Sequence, residues 1–219
     1  MVERARTSDE RPALAGWFDS LEQFRPKAVL VLGPDPFAAN DHREVVAVFP
    51  SDFIGEAAKL AKSNSFGVGW RSSSAPLVAW KNLTTAPGED HAWSSAWLER
   101  GALSMVRVDF PTAFGQGFEC FMFCGRQFSD SDDAKRIAYT ALSVWPLIKT
   151  DVVSSRYEIT PREMEVLLAL AEGLTVKEAS DRVNCAERTI GFHLSNLQEK
   201  LRASNRAAVV QRACTLGLL

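Results

Sequence analysis

The chain has 219 residues, of which 46% are hydrophobic, and a formal net charge of −2. It is long enough for one large domain or two modest ones, and its charge does not by itself indicate a nucleic-acid-binding protein. No stretch approaches the ~18 apolar residues of a membrane span, and the polar segment Met1–Pro12 has no signal core. The cysteines form no metal-type pattern. From these features together, we expect a soluble, cytoplasmic protein without metal, cofactor or membrane partner.

The first two-thirds of the chain alternate between helical and strand-like patterns. In chain order, the patterns predict a helix over 14–24, strands over 28–32 and 45–49, helices over 51–62 and 92–100, strands over 105–110 and 118–124, and a long amphipathic helix over 130–148. This order predicts an antiparallel sheet with helices on both faces, an α/β/α sandwich that can enclose a small-molecule pocket. The expected domains are residues 1–150 and 157–219, joined by a linker at 151–156.

The C-terminal part contains two strong helix starts. In Thr160–Glu163 and again in Thr175–Glu178, a threonine is followed three residues later by a glutamate, which is the capping-box pattern. A turn at 184–186 and a third helix over 187–201 follow, and Asn205 caps a last helix. The expected core positions of these helices are Met164, Leu167, Leu168, Ala171, Val176, Ala179, Val183, Ile190, Leu194, Leu197, Leu201, Val209, Ala213 and Leu216. Two short capped helices, a tight turn and a third helix make a helix-turn-helix domain, so the fold class is α+β.

The side of the third helix opposite its core stripe is free to enter a major groove. We predict that phosphate and base contacts come from this face and from nearby donors. The predicted DNA-binding residues are Thr175, Lys177, Arg188, Thr189, Gly191, Phe192, Ser195, Asn196, Lys200 and Arg206. Two alternatives stay open here: Phe192 contacts another protein, or Lys200 and Arg206 are merely solvated.

The stretch 157–219 resembles the C-terminal DNA-binding domain of the LuxR family. The matching elements include Ile159–Glu163, Glu165–Leu167, Glu187–Ile190, Lys200-Leu201, Asn205-Arg206 and Gly217–Leu219. The resemblance implies that the third helix reads DNA, with base-reading positions at Gly191 and Ser195. The sequence departs from the family at Ala186, where a serine usually caps the third helix. Eight basic and eight acidic residues leave residues 157–219 neutral (8 − 8 = 0), so we expect a dimer on a palindromic double-stranded site.

The N-terminal region is similar to the autoinducer-binding domain of the quorum-sensing subgroup of that family. Phe49-Pro50-x-x-Phe53 and the region from Pro76 to Trp80 carry this resemblance, and Trp80 matches a family tryptophan. The usual polar contacts to an N-acyl-homoserine lactone are missing, because Phe53, Ala57 and Ser65 stand at those positions. The predicted pocket residues are Phe53, Ala57, Ser65, Phe66, Trp70, Trp80, Met105 and Phe121. Either they line a pocket for a different, more apolar signal, or they fill it and the domain needs no ligand.

Other classes of protein fit the sequence less well. No Ser/His/Asp, Cys/His or paired-carboxylate arrangement stands out, so we expect no catalytic residue and no enzyme. A response regulator is disfavoured because Gly33-Pro34 stands where a receiver domain needs acidic residues. An interaction protein that heterodimerises with a true lactone receptor and inhibits it is the remaining alternative. The expected partners are DNA, a second copy or another LuxR-type regulator, and RNA polymerase.

Overall fold

The computed structural model describes residues 12–34, 43–63, 76–83, 91–111 and 117–219. The chain divides into two compact units, unit 1 at Met1–Ile148 and unit 2 at Lys149–Leu219. Within the described ranges, no helix is both long and apolar enough to cross a membrane.

Unit 1 is built on an antiparallel sheet. Its helices and strands are α1 Pro12–Ser20, β1 Pro26–Pro34, β2 Arg43–Phe49, α2 Ile54–Lys62, β3 Leu77–Asn82, α3 His91–Glu99, β4 Ser104–Pro111, β5 Gly117–Cys124 and α4 Ser131–Arg156, whose last residues belong to unit 2. The five strands lie in the order β2-β1-β5-β4-β3. Short 3₁₀ turns at Glu22–Phe24 and Ser51–Phe53 precede β1 and α2.

Both faces of the sheet are covered, as the sequence predicted. One face, here called the α2 face, packs residues such as Leu30, Met105 and Phe121 against α2 and α3. The opposite face, here called the α4 face, packs Phe110 and Phe118 against Trp145 of α4. All eight residues of β5 are buried, because successive side chains point to opposite faces and each face has its own helical layer.

Two elements differ from the sequence-based expectation. Strand β3 was not predicted, because its single short run contains the polar pair Lys81-Asn82 and lies at the edge of the sheet. The predicted linker at 151–156 is instead the last part of α4. Residues 147–156 contain neither glycine nor proline, so nothing in the sequence ends the helix there.

Unit 2 has the predicted helix-turn-helix order, and the α+β fold class is confirmed. After the end of α4 its helices are α5 Pro161–Ala171, α6 Val176–Val183, α7 Glu187–Lys200 and α8 Arg206–Leu216. Both predicted capping boxes are present at Thr160 and Thr175, and the Asn205 side chain accepts a hydrogen bond from Ala208 N. Ala186 caps α7 with no side-chain hydrogen bond. In the turn before α7, Asn184 takes the left-handed conformation with φ 53°, which asparagine tolerates better than most residues.

The core stripe of α5 was predicted one position out of phase. Leu167 is buried as expected, but Leu168 is 48% exposed. The helix instead buries Glu163, Val166 and Leu170, among others. A buried glutamate displaced the expected pattern, since an apolar period cannot reveal a carboxylate that is paired in the core. The predicted core residues of α7 and α8 are buried, apart from the half-buried Leu194.

Candidate nucleic-acid interface and sensor layer

The outer face of α7 presents small and aromatic side chains to solvent. Gly191 and Ser195 are exposed, and a Cβ built on Gly191 would meet no atom within 4 Å. Phe192 is 63% exposed, which is unusual for a phenylalanine on a helix whose other face packs well. An α-helix with a smooth outer face of this kind fits the width of a major groove.

The Ser195 hydroxyl makes a hydrogen bond within its own helix. Its hydroxyl donates to the carbonyl oxygen of Gly191 at 3.0 Å, one turn earlier in α7. The hydroxyl proton is therefore used within the helix, and the oxygen presents only its lone pairs to the outside.

Two exposed cations lie at the starts of the two helices of the helix-turn-helix. Lys177 lies in the first turn of α6 and Arg188 in the first turn of α7, and both side chains are exposed. Neither makes an ion pair in the part of the chain that the structure describes. The two helix N-termini add partial positive charge at the same places, which favours phosphate. The hydroxyl of Thr175, in contrast, is bound to Glu178 Oε2 at 2.7 Å.

Lys200, one of the predicted phosphate donors, is engaged in hydrogen bonds within unit 2, which the sequence pattern did not indicate. Its Nζ donates to both carboxylate oxygens of the buried Glu163, at 2.9 and 2.7 Å, and to Glu158 O at 2.7 Å. Burial alone would raise the pKa of the Glu163 carboxyl, but hydrogen bonds from Lys200 and Thr160 outweigh it and hold the pKa below its ordinary value. Lys200 thus ties α7 to the start of α5.

Arg206 is likewise engaged within unit 2. Its guanidinium donates to Leu174 O at 2.5 Å and to Leu170 O at 3.3 Å. These carbonyls lie at and beyond the C-terminal end of α5, where backbone acceptors have no partner within the helix. Arg206 therefore connects α8 to the end of α5, so the alternative that it is merely solvated is wrong.

The α2 face brings together four of the eight predicted pocket residues. Phe53, Ala57, Met105 and Phe121 belong to one buried cluster. Trp80 does not join them, because it pairs with Val106 across the β3–β4 ladder and its ring lies 6.0 Å from that of Phe128. Directly paired residues share a face, and Val106 is on the α4 face. Three further predicted pocket residues lie outside the described residues: Ser65, Phe66 and Trp70.

Sequence reasoning missed a group of buried charges on the α2 face, here called the ionic quartet: Arg43, Arg107, Asp109 and Glu119. Arg107 donates to both carboxylate oxygens of Asp109 at 2.6 and 2.7 Å, and Arg43 donates to Glu119 Oε2 at 2.9 Å. Arg43 also donates to Leu60 O at 3.1 Å and to Ser63 O. Burial raises the pKa of Asp109 to about 6, although Arg107 opposes the shift. Charged residues at alternate positions of a strand usually indicate a face open to solvent. The burial of this group therefore becomes visible only in the structure, where α2 covers that face of the sheet.

Comparisons with known proteins agree with the geometry of unit 2. The family described as "Bacterial regulatory proteins, luxR family" matches residues 158–213. The quorum sensing-dependent transcriptional regulator RpaR of Rhodopseudomonas palustris is 34% identical over 50% of this chain and 46% of that protein. The transcriptional activator AnoR of Acinetobacter nosocomialis is 40% identical over 33% of this chain and 31% of that protein. The chain thus matches less than half the length of these curated relatives.

Several solved structures align over most of the chain. The crystal structure of Escherichia coli SdiA covers 99% of this chain and 93% of its own, with a TM-score of 0.44 and 18% identity. The matched relatives are named as transcription regulators and activators, which are not enzymes. With its two capping boxes, its tight turn and an open outer face on α7, the segment 158–213 is a helix-turn-helix domain that matches the family described as "Bacterial regulatory proteins, luxR family".

Proposed function

We propose that the chain is a sequence-specific transcription regulator that binds double-stranded DNA as a dimer. The observation that carries this proposal is the outer face of α7, where Gly191, Phe192 and Ser195 stand clear of the core beside the exposed Lys177 and Arg188. Small residues let the helix backbone approach the base edges, and the two cations bind the flanking phosphates.

The neutral net charge of residues 157–219 favours binding of DNA as a dimer. One domain of neutral net charge binds DNA weakly, whereas two copies double the phosphate contacts on a palindromic site. In unit 1, α4 exposes Tyr139 (73%), Leu142 and Leu147 (68%) along one side. Apolar residues spaced in this way along a helix favour a second copy as their partner, because a two-fold interface needs one self-complementary surface.

The side chains of α7 also limit which bases are read. With its hydroxyl proton donated to Gly191 O, Ser195 presents an acceptor, so we expect it to face the amino group of adenine or cytosine. Phe192 offers an apolar contact suited to the methyl group of thymine. Base contacts of this kind supply about 1–3 kcal/mol each, so DNA shape and half-site spacing carry the rest of the specificity.

The test starts from a random pool of duplexes and selects those that the full chain binds. The selected duplex is then titrated with the Arg188→Ala and Phe192→Ala variants. We expect Arg188→Ala to weaken binding to all sequences and Phe192→Ala to relax the preference for thymine. Arg182→Ala is the control, since Arg182 is an exposed arginine of α6 that lies 3.4 Å from Glu172. If no duplex is selected by the homodimer, the alternative of an interaction protein that pairs with a lactone receptor is supported instead.

Unit 1 is proposed as the sensor and dimerisation domain of this regulator. The family's polar contacts to an acyl-homoserine lactone are absent at Phe53 and Ala57, which are buried in an apolar cluster. The domain therefore responds to a different signal or works without one. A panel of acyl-homoserine lactones separates these cases from ordinary lactone sensing. We expect no lactone to change the melting temperature, and a shift with any of them at saturating concentration contradicts this part of the proposal.

A further inference from the structure

Two neighbouring residues at the start of α5 contact the two ends of α7. Glu163 accepts hydrogen bonds from Lys200, the last residue of α7, at 2.9 and 2.7 Å. Arg162 donates to Val183 O at 2.7 Å and to Asn184 O at 3.4 Å, at the end of α6. Because consecutive side chains of a helix point about 100° apart, one turn of α5 contacts both the turn before α7 and the far end of α7.

The turn that Arg162 contacts decides the direction in which α7 leaves α6. Asn184 has φ 53° and ψ 59°, and the N–H of Cys185 donates to Ser180 O at 3.0 Å, which closes the end of α6. Ala186 is then extended, and α7 begins after it. Carbonyl groups at a helix end have no partner within the helix, so the guanidinium satisfies them and fixes the turn against α5.

Two other arginines make the same kind of contact at other helix ends of unit 2. Arg206 donates to carbonyl oxygens at the end of α5, and Arg212 donates to Leu201 O at 2.5 Å, at the end of α7. Of these contacts, those of Arg162 lie at the turn between α6 and α7. Arg212 therefore offers a matched control for Arg162, since it holds α7 at the end away from the turn.

The direction of α7 affects base contacts more than phosphate contacts. If the turn is released while the Lys200 end stays held, a rotation of ~5° about that end moves Gly191, about 13 Å away, by roughly 1 Å at ~1.5 Å per residue. A hydrogen bond to a base edge does not survive such a displacement, because its donor and acceptor lie within ~3.2 Å. Long, flexible lysine side chains, in contrast, can follow a phosphate. The direction of α7 therefore determines sequence preference more than general affinity.

We propose that Arg162 is a positioning residue for DNA recognition. By holding the carbonyl groups at the end of α6, it sets the direction of α7 and so the placement of Gly191 and Ser195 in the major groove, without itself contacting DNA. The inference rests on the proposed function, since it assigns a role within DNA binding. The Arg162 side chain is 40% exposed, so the experiment separates this role from a phosphate contact and from a contribution to stability alone.

The experiment uses the full chain, the duplex selected from the random pool and a shuffled duplex of the same length. Arg162→Met keeps the apolar stem but removes the guanidinium, and Arg212→Met makes the same change with the same loss of charge. We expect Arg162→Met to weaken binding to the selected duplex about tenfold relative to Arg212→Met. The two variants should bind the shuffled duplex equally and show the same slope of log Kd against log salt concentration.

Two results would overturn the inference. Equal losses on both duplexes, with a salt slope smaller by about 1 than in Arg212→Met, would make Arg162 a phosphate contact. Equal losses in Arg162→Met and Arg212→Met would make it a stabilising residue only. Arg162→Lys is used if Arg162→Met does not fold. One ammonium group cannot fork across two carbonyl groups as a guanidinium does, so we expect a reduced preference for the selected duplex, and a wild-type preference there overturns the inference.

Amide hydrogen exchange gives a measurement that needs no DNA. The N–H groups of Thr189 and Ile190, in the first turn of α7, donate to Ala186 O at 2.8 and 3.2 Å. We expect these amides to exchange faster in Arg162→Met but not in Arg212→Met, and equal exchange in the two variants contradicts the inference. If the wild type selects no duplex, the proposed function fails on its own, while exchange still decides whether Arg162 orders the start of α7.

Discussion

Lys200 and Lys177 show how differently two lysines of one small domain act. Lys200 holds the buried Glu163 carboxylate, whereas Lys177 is exposed and without an ion pair in the described residues. We expect Lys200→Met to lower the free energy of unfolding of unit 2 by about 2 kcal/mol, because it leaves a buried charge unpaired and the pair is only partly open to solvent. Lys177→Met should change stability by less than ~0.5 kcal/mol but weaken DNA binding. Urea unfolding and DNA titration of both variants measure this contrast, and equal stability losses would contradict it.

Glu163 makes the same contact sensitive to pH. The pKa of its carboxyl lies below the ordinary value in the folded chain. Its contribution to stability is therefore fully present above the unfolded pKa and is lost as pH falls through the lowered folded pKa. We expect the urea midpoint of the wild type to fall on acidification below about pH 4.5, and Glu163→Gln to flatten this part of the profile. If Glu163→Gln loses stability on acidification as strongly as the wild type does, the acid sensitivity arises from other carboxylates.

Gly191 and Gly173 differ in backbone conformation, and alanine is expected to have opposite effects on stability at the two positions. A Cβ at either position would meet nothing within 4 Å, but Gly173 has φ +85° and Gly191 lies inside α7. Gly191→Ala should stabilise unit 2 by about 1 kcal/mol through helix propensity, whereas Gly173→Ala should destabilise it because alanine is strained at positive φ. Thermal unfolding of the two variants checks the opposite signs, and a stabilising Gly173→Ala would show that the loop adjusts freely.

At the scale of elements, α7 is the helix of unit 2 whose start is weakest. Thr160, Thr175 and Asn205 each cap a helix through a side-chain oxygen, but Ala186 has no such group. Its backbone is extended, with φ −69° and ψ 148°, which is the conformation that a capping residue needs. Ala186→Thr should therefore stabilise unit 2 by about 1 kcal/mol relative to Ala186→Val, which has the same shape without the hydroxyl. Equal unfolding midpoints would mean that water or a neighbouring group already serves the end of α7.

The elements that the sequence predicts well are those whose signals are local. The two capping boxes and the turn before α7 depend on neighbours three or four residues away, so they follow from the sequence directly. The contacts of Lys200 with Glu163, of Arg206 with Leu174 and of Arg43 with Glu119 join residues far apart in the chain, which no local pattern encodes. Strand β3 was missed for a related reason: at a sheet edge, only its partner β4 makes it a strand. Trp80 could be placed on a face only once the register with Val106 was known.

At the scale of the whole molecule, the proposed dimer depends on the exposed side of α4. Leu147→Glu places a charge within the proposed interface, and we expect a shift from dimer to monomer, together with weaker binding to a palindromic duplex. Gln23→Glu is the control, since it adds the same charge at an exposed site outside α4. Analytical ultracentrifugation of both variants measures the change. A Leu147→Glu variant that stays dimeric would place the interface elsewhere.

The small number of available cations also affects how the protein finds its site on a chromosome. Binding to arbitrary DNA comes almost entirely from phosphate contacts. Of the four cations predicted to contact DNA, Lys177 and Arg188 are exposed, whereas Lys200 and Arg206 hydrogen-bond to groups within the domain. We therefore expect short residence on non-target DNA and a search dominated by repeated dissociation and re-encounter rather than by long sliding. If Lys200 and Arg206 stabilise the fold in place of contacting phosphates, the affinity for DNA of arbitrary sequence is low. Occupancy of the target site then depends on the correct base pairs and on the concentration of the dimer.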